Sequence, residues 1–258
     1  MKRVVYTAVF GGYDNVEPIS FKSECDFYVF TDNGNCNIDG WKTVLIEKVD
    51  DLNLSKADLN RYLKINIPDV IKKYDQSLYI DGHVRINCDP TFLFDKYLSN
   101  HDIAIPPHHL RTCVFDEAAY CIKTGITNNT EVSLQIERYK AVGFPQNFGL
   151  TENGIIFRSN SSSKIKLLMD EWWSEYINGV KRDQLSLPFV LWRLNIVVGL
   201  IEEGPRYLSS YFTLQPHAIK KMGKVKSVIW HIQTHQNRSH LYKLASKLIG
   251  WLQAYAAK

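Results

Sequence analysis

Short apolar runs alternate with longer segments of helical spacing through the first half of the chain. The runs predict strands at residues 4–10, 27–31, 41–47, 77–80, 102–105 and 154–158. The first run is apolar without alternation, which is typical of a strand covered on both faces. Several of these runs stop at glycine, proline, aspartate or asparagine, the residues that favour turns.

Helical segments separate these strands and dominate the second half. Ser55, with Asp58 three residues later, indicates a helix start, and that helix runs towards Tyr74 with Pro68 splitting it. Further helices are predicted at 130–141, 164–177, 183–193 and 241–257, with one more strand at 228–231. Strands joined by helices imply right-handed crossovers, so we predict an α/β fold whose mainly parallel sheet is flanked by helices, with a more helical C-terminal half.

Three polar clusters follow predicted strands, at residues 11–14, 32–33 and 81–83. In open sheets of this kind, ligands bind at the carboxyl ends of the strands. If the strands are neighbours, the three clusters meet in one crevice. We therefore expect the functional site at this edge of the sheet.

Composition narrows the classes of protein. The 258 residues are 45% hydrophobic and 22% charged, as in folded globular proteins. A net charge of +4 does not indicate nucleic-acid binding, and no apolar run approaches the roughly 18 residues of a membrane span. Five cysteines without a Cys-x-x-Cys pair are typical of a reduced, cytoplasmic protein. We expect one domain over residues 1–240, followed by an amphipathic helix over 241–258.

Several enzyme classes lose support because their motifs are missing. The sequence has no Gly-x-Gly-x-x-Gly, no Walker-type Gly-Lys-Ser/Thr and no Gly-x-Ser-x-Gly, which disfavours dehydrogenases, P-loop enzymes and α/β-hydrolases. The loop at 11–14 has glycines but no basic residue, which disfavours a nucleotidyltransferase.

Two short motifs carry candidate chemistry. Asp81 directly follows the predicted strand 77–80, and with His83 it can hold a divalent metal that bridges a diphosphate. A plain turn explains the same residues. Asp183 and Gln184 begin a predicted helix, and a carboxylate beside an amide suits a sugar pocket. A helix N-cap is the alternative for Asp183.

A third candidate lies on the loop at 108–117. His109, Arg111 and Glu117 are the residue types that line an acceptor site or bind phosphate. A solvated surface loop has the same composition. The histidines of this loop lack the spacing of a zinc site.

Three longer stretches occur in a characteristic order. They are VYTAVFGGYDNVEP followed by CDFYVFTDN, then RYLKINIPDVIKKYDQSLYIDGHVRI, and then QIERYKAVGFPQNFGLTENGIIFR continuing to WW and RDQLSLPFVLWR. Together, over residues 4–193, they resemble the glycosyltransferase-like family formerly catalogued as domain of unknown function 616. That family is similar to GT-A nucleotide-sugar glycosyltransferases, which implies a Rossmann-like sheet, an Asp-x-Asp metal element and usually manganese.

The resemblance implies a role for each residue that matches the family's motifs. The residues it places against the nucleotide are Thr7, Ala8, Val9, Asp32, Arg61 and Lys64, the last two beside the diphosphate. Asp81 takes the first position of the Asp-x-Asp element, but His83 stands where a second aspartate is usual. His231 is the candidate for a further metal ligand. Asp183 and Gln184 match an Asp-Gln element that lines the donor sugar in retaining enzymes.

The function implied is hexose transfer from a nucleoside diphosphate sugar, expected to be a UDP-sugar, in surface polysaccharide synthesis. The acceptor is a saccharide or a lipid-linked saccharide, with His109, Arg111 and Glu117 as its candidate contacts. Manganese or magnesium is the expected cofactor, and retention of configuration is favoured over inversion. The alternative is a carbohydrate- or nucleotide-binding protein in which His83 marks a degenerate site.

The C-terminal residues 241–258 have an apolar half and a polar half whose only charges are lysines. A helix of this kind either docks on its own domain or lies on an anionic membrane surface. The inner face of the cytoplasmic membrane, where lipid-linked acceptors are found, is the candidate surface. The sequence leaves both alternatives open.

Overall fold

The computed structural model describes residues 1–46, 54–206, 211–218 and 223–256. Nine strands occur in these ranges: β1 (Arg3–Val9), β2 (Asp26–Thr31), β3 (Lys42–Leu45), β4 (Gln76–Ile80), β5 (Val84–Ile86), β6 (Ile103–Ile105), β7 (Ile155–Ser159), β8 (Gly199–Leu200) and β9 (Phe212–Leu214). Seven of them form the central sheet, in the spatial order β3-β2-β1-β4-β7-β6-β8. The other two, β5 and β9, pair with each other.

The central sheet is mainly parallel, as the sequence predicts. Strand β1 pairs in parallel with β2 on one side and with β4 on the other, and β2 pairs in parallel with β3. Strand β7 is the exception, because it runs antiparallel to both β4 and β6. The carboxyl ends of β1 and β4 therefore meet at one edge.

Helices flank the sheet and are most frequent after β6. In chain order they are α1 (Lys56–Ile65), α2 (Asp69–Lys72), α3 (Thr91–Leu98), α4 (Val114–Thr124), α5 (Asn129–Ala141), α6 (Ser163–Asn178), α7 (Asp183–Arg193), α8 (Lys224–Thr234) and α9 (His240–Ala256). Ser55 caps α1, since its hydroxyl accepts from the amide of Asp58 at 3.1 Å. Pro68 stands at the start of α2, so the predicted long helix is split at this proline.

The strand predicted at 228–231 is wrong, because these residues lie inside helix α8. Val228, Ile229 and Trp230 suggest a strand by their apolar run, but they divide between two environments. Val228 is 59% exposed, whereas Trp230 packs against the core. This division around a helix explains the apolar run without a buried strand.

The core lies on both faces of the sheet. Val4 and Tyr6 of β1 belong to one apolar cluster, and Val5 between them belongs to the cluster on the opposite face. All three are at most 1% exposed. This two-sided burial accounts for the continuous apolar run at the start of the chain.

Parts of two predicted elements lie outside the described residues. These parts are Glu47, at the end of the third predicted strand, and Ala257 and Lys258 at the end of the C-terminal helix. Among the residues that the structure describes, no helix combines the length and apolar character needed to cross a bilayer.

Candidate active site

A cavity of about 760 Å³ opens at the carboxyl ends of β1 and β4. This is the position at which sheets of this class bind ligands, and the volume suits a small-molecule substrate. The walls come from the loop after β1, from α1, from the loop after β4, from residues 152–155 and from the start of α7, and they include Pro205, Arg206, Leu214 and His217. Two of the three polar clusters predicted to converge, at 11–14 and 81–83, contribute to these walls.

Gly82 permits a close approach between the two strand ends. A Cβ atom at this position would lie 2.5 Å from Cγ2 of Val9 and 3.0 Å from Cβ of Asp14. No side chain fits in that space. The glycine therefore lets the loop after β1 pack directly against the turn after β4.

Three side chains at this contact form a cluster suited to a metal ion. The ligand atoms of Asp14, His83 and His217 all lie within 4.8 Å of one another. Nδ1 of His217 lies 2.6 Å from Oδ1 of Asp14, and Nδ1 of His83 lies 3.9 Å from Oδ2 of the same carboxylate. Of these three, only His83 is a metal ligand predicted from the sequence.

The small sheet of β5 and β9 brings His217 to this place. Val84 pairs with Leu214, and the amide of Gln215 donates to the carbonyl of His83 at 2.8 Å. These bonds fix the segment after β9 beside the turn after β4. His217 follows two residues later.

The donor set fits a divalent transition metal. Burial lowers the pKa of His83, as does His217, while Asp81 and Asp14 oppose this shift. The lowered pKa favours the neutral imidazole that binds metals. Imidazole ligands are typical of transition metals, whereas Mg²⁺ prefers oxygen ligands.

Asp81 lies in the same cavity but is not part of the cluster. Its Oδ1 accepts a hydrogen bond from the hydroxyl of Tyr79 at 2.9 Å and lies 3.5 Å from Nζ of Lys64. A Cβ atom on Gly154 would come within 3.2 Å of its other oxygen. The first position of the expected Asp-x-Asp element is thus held by protein contacts, and Asp14 supplies the carboxylate of the cluster.

His231 does not approach the cluster either. It lies on α8, where its ring centroid is 4.4 Å from that of His235 and 6.0 Å from that of Tyr242. The sequence suggested a strand end aimed at the site, and the helix removes the basis for that expectation. The histidine that joins Asp14 and His83 in the cluster is His217.

A second cluster lies at the other side of Asp81. Nζ of Lys64 is 2.8 Å from Oδ2 of Asp183, and Nε of Arg61 is 3.8 Å from the same oxygen. Asp183 and Lys64 are 5% and 2% exposed. A buried carboxylate next to two cations is a fixed negative charge at the cavity wall.

These charges set the protonation of both carboxyl groups. Burial alone raises the pKa of Asp183, but Lys64 and Arg61 outweigh it and hold this pKa well below its usual range. The same two cations lower the pKa of Asp81 against the effect of burial. Both groups are ionised at neutral pH.

Asp183 is not a helix cap. It begins α7, but Arg182 holds the cap position and no side chain makes a capping hydrogen bond. The first turn of α7 is fixed instead by α6, since the indole of Trp172 donates to the hydroxyl of Ser186 at 3.1 Å. The N-cap alternative for Asp183 is therefore wrong.

Gln184 lines the cavity beside Asp183. Its Oε1 accepts from Arg182 at 2.6 Å, and its Nε2 donates to the carbonyl of Thr151 at 3.4 Å. Asn153 lines the adjacent wall, is 2% exposed, and accepts a hydrogen bond from the Thr151 hydroxyl at 2.7 Å. Within the described residues its side-chain NH₂ has no partner, so a ligand oxygen can accept from it.

The residues expected to contact the nucleotide divide into two groups. Ala8, Val9, Arg61 and Lys64 line the cavity, whereas Thr7 is 1% exposed and does not. Asp32 is outside the lining as well. Its carboxylate accepts from the amide of Gly11 at 3.0 Å and lies 2.7 Å from Nζ of Lys56, so it holds the loop after β1 in place.

The expected acceptor residues lie behind the cavity wall. Glu117 is fully buried and pairs with Arg111 and, at 2.9 Å, with Nη2 of Arg182. His109 lies 3.8 Å from Oε2 of Glu152. The members of these contacts that line the cavity are Arg182 and Glu152. His109, Arg111 and Glu117 thus position wall residues.

Four polar residues of the cavity wall are not among the site residues predicted from the sequence: Asp14, Glu152, Asn153 and His217. Asp14 lies in a cluster that was recognised, but its carboxylate was not singled out. Asn153 and Glu152 precede the predicted strand 154–158 in a stretch quoted for the resemblance alone. His217 follows a three-residue strand that has no periodicity to detect.

The family model described as TOD1/MUCI70, glycosyltransferase-like domain, matches residues 1–202. Among curated proteins, none matches the chain.

Solved glycosyltransferase structures are similar to this chain at low identity. WbbM, a bifunctional glycosyltransferase in its apo form, matches at 12% identity and a TM-score of 0.45 over 78% of this chain and 38% of its own. The galactosyltransferase LgtC, in complex with donor and acceptor sugar analogues, matches at 13% identity and a TM-score of 0.40. The match covers 80% of this chain and 74% of LgtC. Mouse xyloside xylosyltransferase 1 in its apo form matches at 10% identity and a TM-score of 0.45. The match covers 80% of this chain and 87% of the mouse enzyme. The chain spans less than two fifths of WbbM.

The family match covers 202 of the 258 residues, and the sheet is the mainly parallel, helix-flanked sheet that the sequence predicts. The chain therefore belongs to the TOD1/MUCI70 family of glycosyltransferase-like domains.

Proposed function

We propose that this protein transfers a hexose from a nucleoside diphosphate sugar, a UDP-sugar, to a saccharide acceptor. The observation that carries the proposal is one cavity with two charge clusters. A cation site of Asp14, His83 and His217 lies on one side of Asp81, and the buried Asp183–Lys64 pair lies on the other. A cation at the first cluster would offset the negative charge of a diphosphate. The carboxylate of the second cluster would stabilise positive charge at the anomeric carbon of a sugar.

The diphosphate binds between the cation cluster and Arg61. Asp14, His83 and His217 would hold a divalent ion, for which we propose Mn²⁺, and the ion would supply positive charge to the leaving diphosphate. The side chain of Arg61 is 34% exposed and lines the cavity, so its guanidinium can add a bidentate contact. Lys64 contacts the carboxylates of Asp81 and Asp183 and lowers the pKa of both, which keeps them ionised.

The sugar binds against the start of α7. Asp183 presents a fixed negative charge to the anomeric carbon, where positive charge develops as the bond to the diphosphate breaks. Gln184 and the free NH₂ group of Asn153 bind sugar hydroxyls. Transfer with inversion would need a carboxylate base, and Glu117, one carboxylate near the cavity, is fully buried between two arginines. Transfer with retention, which needs no separate base, is favoured.

The acceptor enters beside Glu152. Burial raises the pKa of this carboxyl group, while Arg206 opposes the shift through an ion pair. A carboxyl group beside an arginine offers both acceptors and donors to saccharide hydroxyls. We place the enzyme in the cytoplasm, with a lipid-linked saccharide of surface polysaccharide synthesis as acceptor.

One observation favours a second candidate, a nucleotide- or carbohydrate-binding protein. Asp81, the first position of the metal element, contacts Lys64 and Tyr79 and not the cation cluster. A protein of this kind would bind the nucleotide without turnover.

Donor hydrolysis separates the two candidates. Purified protein is incubated with UDP-, GDP- and dTDP-sugars, each with Mn²⁺ or with chelator, and free sugar is measured. Slow release of sugar from one UDP-sugar, dependent on Mn²⁺ and lost in Asp183→Asn, supports the transferase. Nucleotide binding without hydrolysis of any donor and without transfer to a panel of saccharides would overturn it.

A further inference from the structure

The last 55 residues differ from the rest of the chain in charge. Residues 204–258 contain nine lysines and arginines and no aspartate or glutamate, whereas residues 1–203 contain 22 basic and 27 acidic residues. The C-terminal part is therefore strongly cationic and the remainder weakly anionic. Charge of one sign at this density attracts an anionic surface.

Helices α8 and α9 pack on each other in this cationic part. The hydroxyl of Tyr242 lies 3.5 Å from Nε2 of His231, and the Gln233 amide donates to Oε1 of Gln253 at 3.0 Å. Trp230 of α8 packs against the core beneath the sheet. Helix α9 thus reaches the domain through α8.

The remaining face of α9 is apolar and exposed. Leu241, Leu244, Leu248 and Leu252 are 78%, 64%, 59% and 51% exposed. Their spacing of three and four residues places them on one side of the helix, a face we call the leucine stripe. Single exposed leucines are ordinary, but a continuous stripe marks a contact surface.

Two lysines flank the leucine stripe. At about 100° per residue, Lys247 lies roughly 105° from the centre of the stripe and Lys243 about 145° from it, on the same side. Both are exposed. When the stripe enters a headgroup layer, the long Lys247 side chain can reach the lipid phosphates, and Lys243 adds positive charge above them.

We infer that α9 binds the surface of a membrane rich in anionic phospholipid, lying parallel to it with the leucine stripe inserted among the headgroups. The charge of residues 204–258 selects an anionic lipid surface over a neutral one. The inference rests on the proposed function only for its purpose, which is to hold the enzyme beside a lipid-linked acceptor. Residues 241–258 are then a membrane-binding element attached to the domain of residues 1–240.

Vesicle co-sedimentation of the full chain tests this inference directly. Vesicles of phosphatidylcholine alone are compared with vesicles that contain about 30% phosphatidylglycerol, at low salt and at high salt. We expect binding to the phosphatidylglycerol vesicles only, and weaker binding at high salt. Full-length protein that stays in the supernatant with both vesicles at low salt would overturn the inference.

A leucine variant shows whether the stripe makes the contact. Leu244→Gln with Leu248→Gln should weaken partitioning at least tenfold, since two buried leucines are lost, and should leave the melting temperature unchanged. The matched control is Leu134→Gln with Leu167→Gln, on α5 and α6, where both leucines are exposed by 62% and 49%. Equal loss in both pairs would contradict the assignment to α9.

A lysine variant tests the charge. Lys243→Gln with Lys247→Gln should weaken partitioning to anionic vesicles by roughly thirtyfold, from the contribution of each basic side chain at such a surface. Lys164→Gln with Lys166→Gln on α6 is the matched control, and it should bind as the parent does.

Two further outcomes distinguish a second copy of the chain on the leucine stripe from a failure of the proposed function. A dimer in sedimentation that the leucine variant dissociates, with no vesicle binding, would mean that a second copy covers the stripe and would overturn the inference. Vesicle binding by a protein that hydrolyses no donor would sustain this inference and count against the proposed function alone.

Discussion

Nδ1 of His217 lies 2.6 Å from Oδ1 of Asp14, although 203 positions separate the two residues along the chain. The ring of His83 lies 4.5 Å from that of His217 and completes the cluster. His217 is outside the residues matched by the family model, which end at 202. The proposed cation site therefore joins the family domain to the C-terminal part of the chain.

Replacing the carboxylate of this cluster should remove most of its metal affinity. We expect Asp14→Asn to weaken Mn²⁺ binding by tenfold or more, because even the outer partners of a metal ligand contribute that much. Asp81→Asn should weaken it less, because Asp81 contacts Lys64 and Tyr79. Titration with Mn²⁺ followed by electron paramagnetic resonance measures both affinities.

Asp32→Asn is the matched control for this prediction. Asp32 is a carboxylate near the same loop that contacts Gly11 and Lys56. The asparagine keeps an oxygen that can accept from the Gly11 amide, so the loop should stay in place and the variant should bind Mn²⁺ as the parent does. If Asp81→Asn loses more affinity than Asp14→Asn, the sequence-based ligand is right and the cluster is not the metal site.

A methyl group at Gly82 should separate the two halves of the cluster. Gly82→Ala places a Cβ atom 2.5 Å from Val9 and 3.0 Å from Asp14, so the loop must shift. We expect a loss of about 1–3 kcal/mol in unfolding free energy, as for other overpacked sites, together with weaker Mn²⁺ binding. Gly34→Ala, with nothing within 4 Å of its added Cβ, is the control for denaturant unfolding. A Gly82→Ala protein with parental stability and Mn²⁺ affinity would show that the close contact between the loop after β1 and the turn after β4 is not needed.

Neutralising Asp183 should affect both turnover and stability. Asp183→Asn is expected to cut turnover by about a hundredfold or more, as loss of a positioned charge does. It also leaves the buried Lys64 without its 2.8 Å partner, and breaking a buried pair costs about 3–5 kcal/mol. Kinetics and denaturant unfolding measure the two effects separately.

The double variant with Lys64→Gln distinguishes the two roles of Asp183. Removing both charges should recover part of the unfolding free energy, because the buried pair is removed as a whole and Arg61 still stabilises the charge of Asp81. Turnover should stay low. Recovery of turnover along with stability would mean that Asp183 has only a structural role.

Acid should destabilise the protein through His108 before the carboxylates protonate. Burial lowers the pKa of this histidine to about 4, and its Nδ1 accepts from the amides of Leu110 and Arg111 at 3.2 and 3.0 Å. The unfolded chain binds the proton near pH 6.5, so stability falls as pH decreases from there towards 4. We expect a loss of about 2 kcal/mol between pH 7 and pH 5 from this residue.

Urea unfolding at the two pH values measures this loss. His108→Asn keeps an acceptor for the amides but does not titrate, so its stability should change less between pH 7 and pH 5. His240→Asn, at an exposed position, should behave as the parent does. An unchanged pH dependence in His108→Asn would contradict the assignment.

The sheet could be predicted because each of its main strands carries its own local pattern. Strands β1, β2 and β4 are apolar runs that end in turn residues, and the cap at Ser55 is a local hydrogen bond. Asp183 and Gln184 could be found for the same reason, since their motif is contiguous. Predictions of this kind need only neighbouring residues.

The cation site could not be predicted in full because it depends on long-range pairing. Strands β5 and β9 have three residues each and join positions 84–86 to 212–214, so no periodicity marks them. His231 is predicted as a ligand because an apolar run suggests a strand that ends there, whereas no pattern marks His217. The residues of the apolar run lie in helix α8, whose Trp230 packs against the core, and the local sequence does not reveal this tertiary contact.

Calorimetric titration with UDP, in the presence of Mn²⁺ and in the presence of chelator, tests the central claim most directly. The account predicts that UDP binds only with Mn²⁺, and that Asp14→Asn abolishes this binding while Asp32→Asn preserves it. Equal UDP binding with and without the metal, or no UDP binding in either condition, would contradict it.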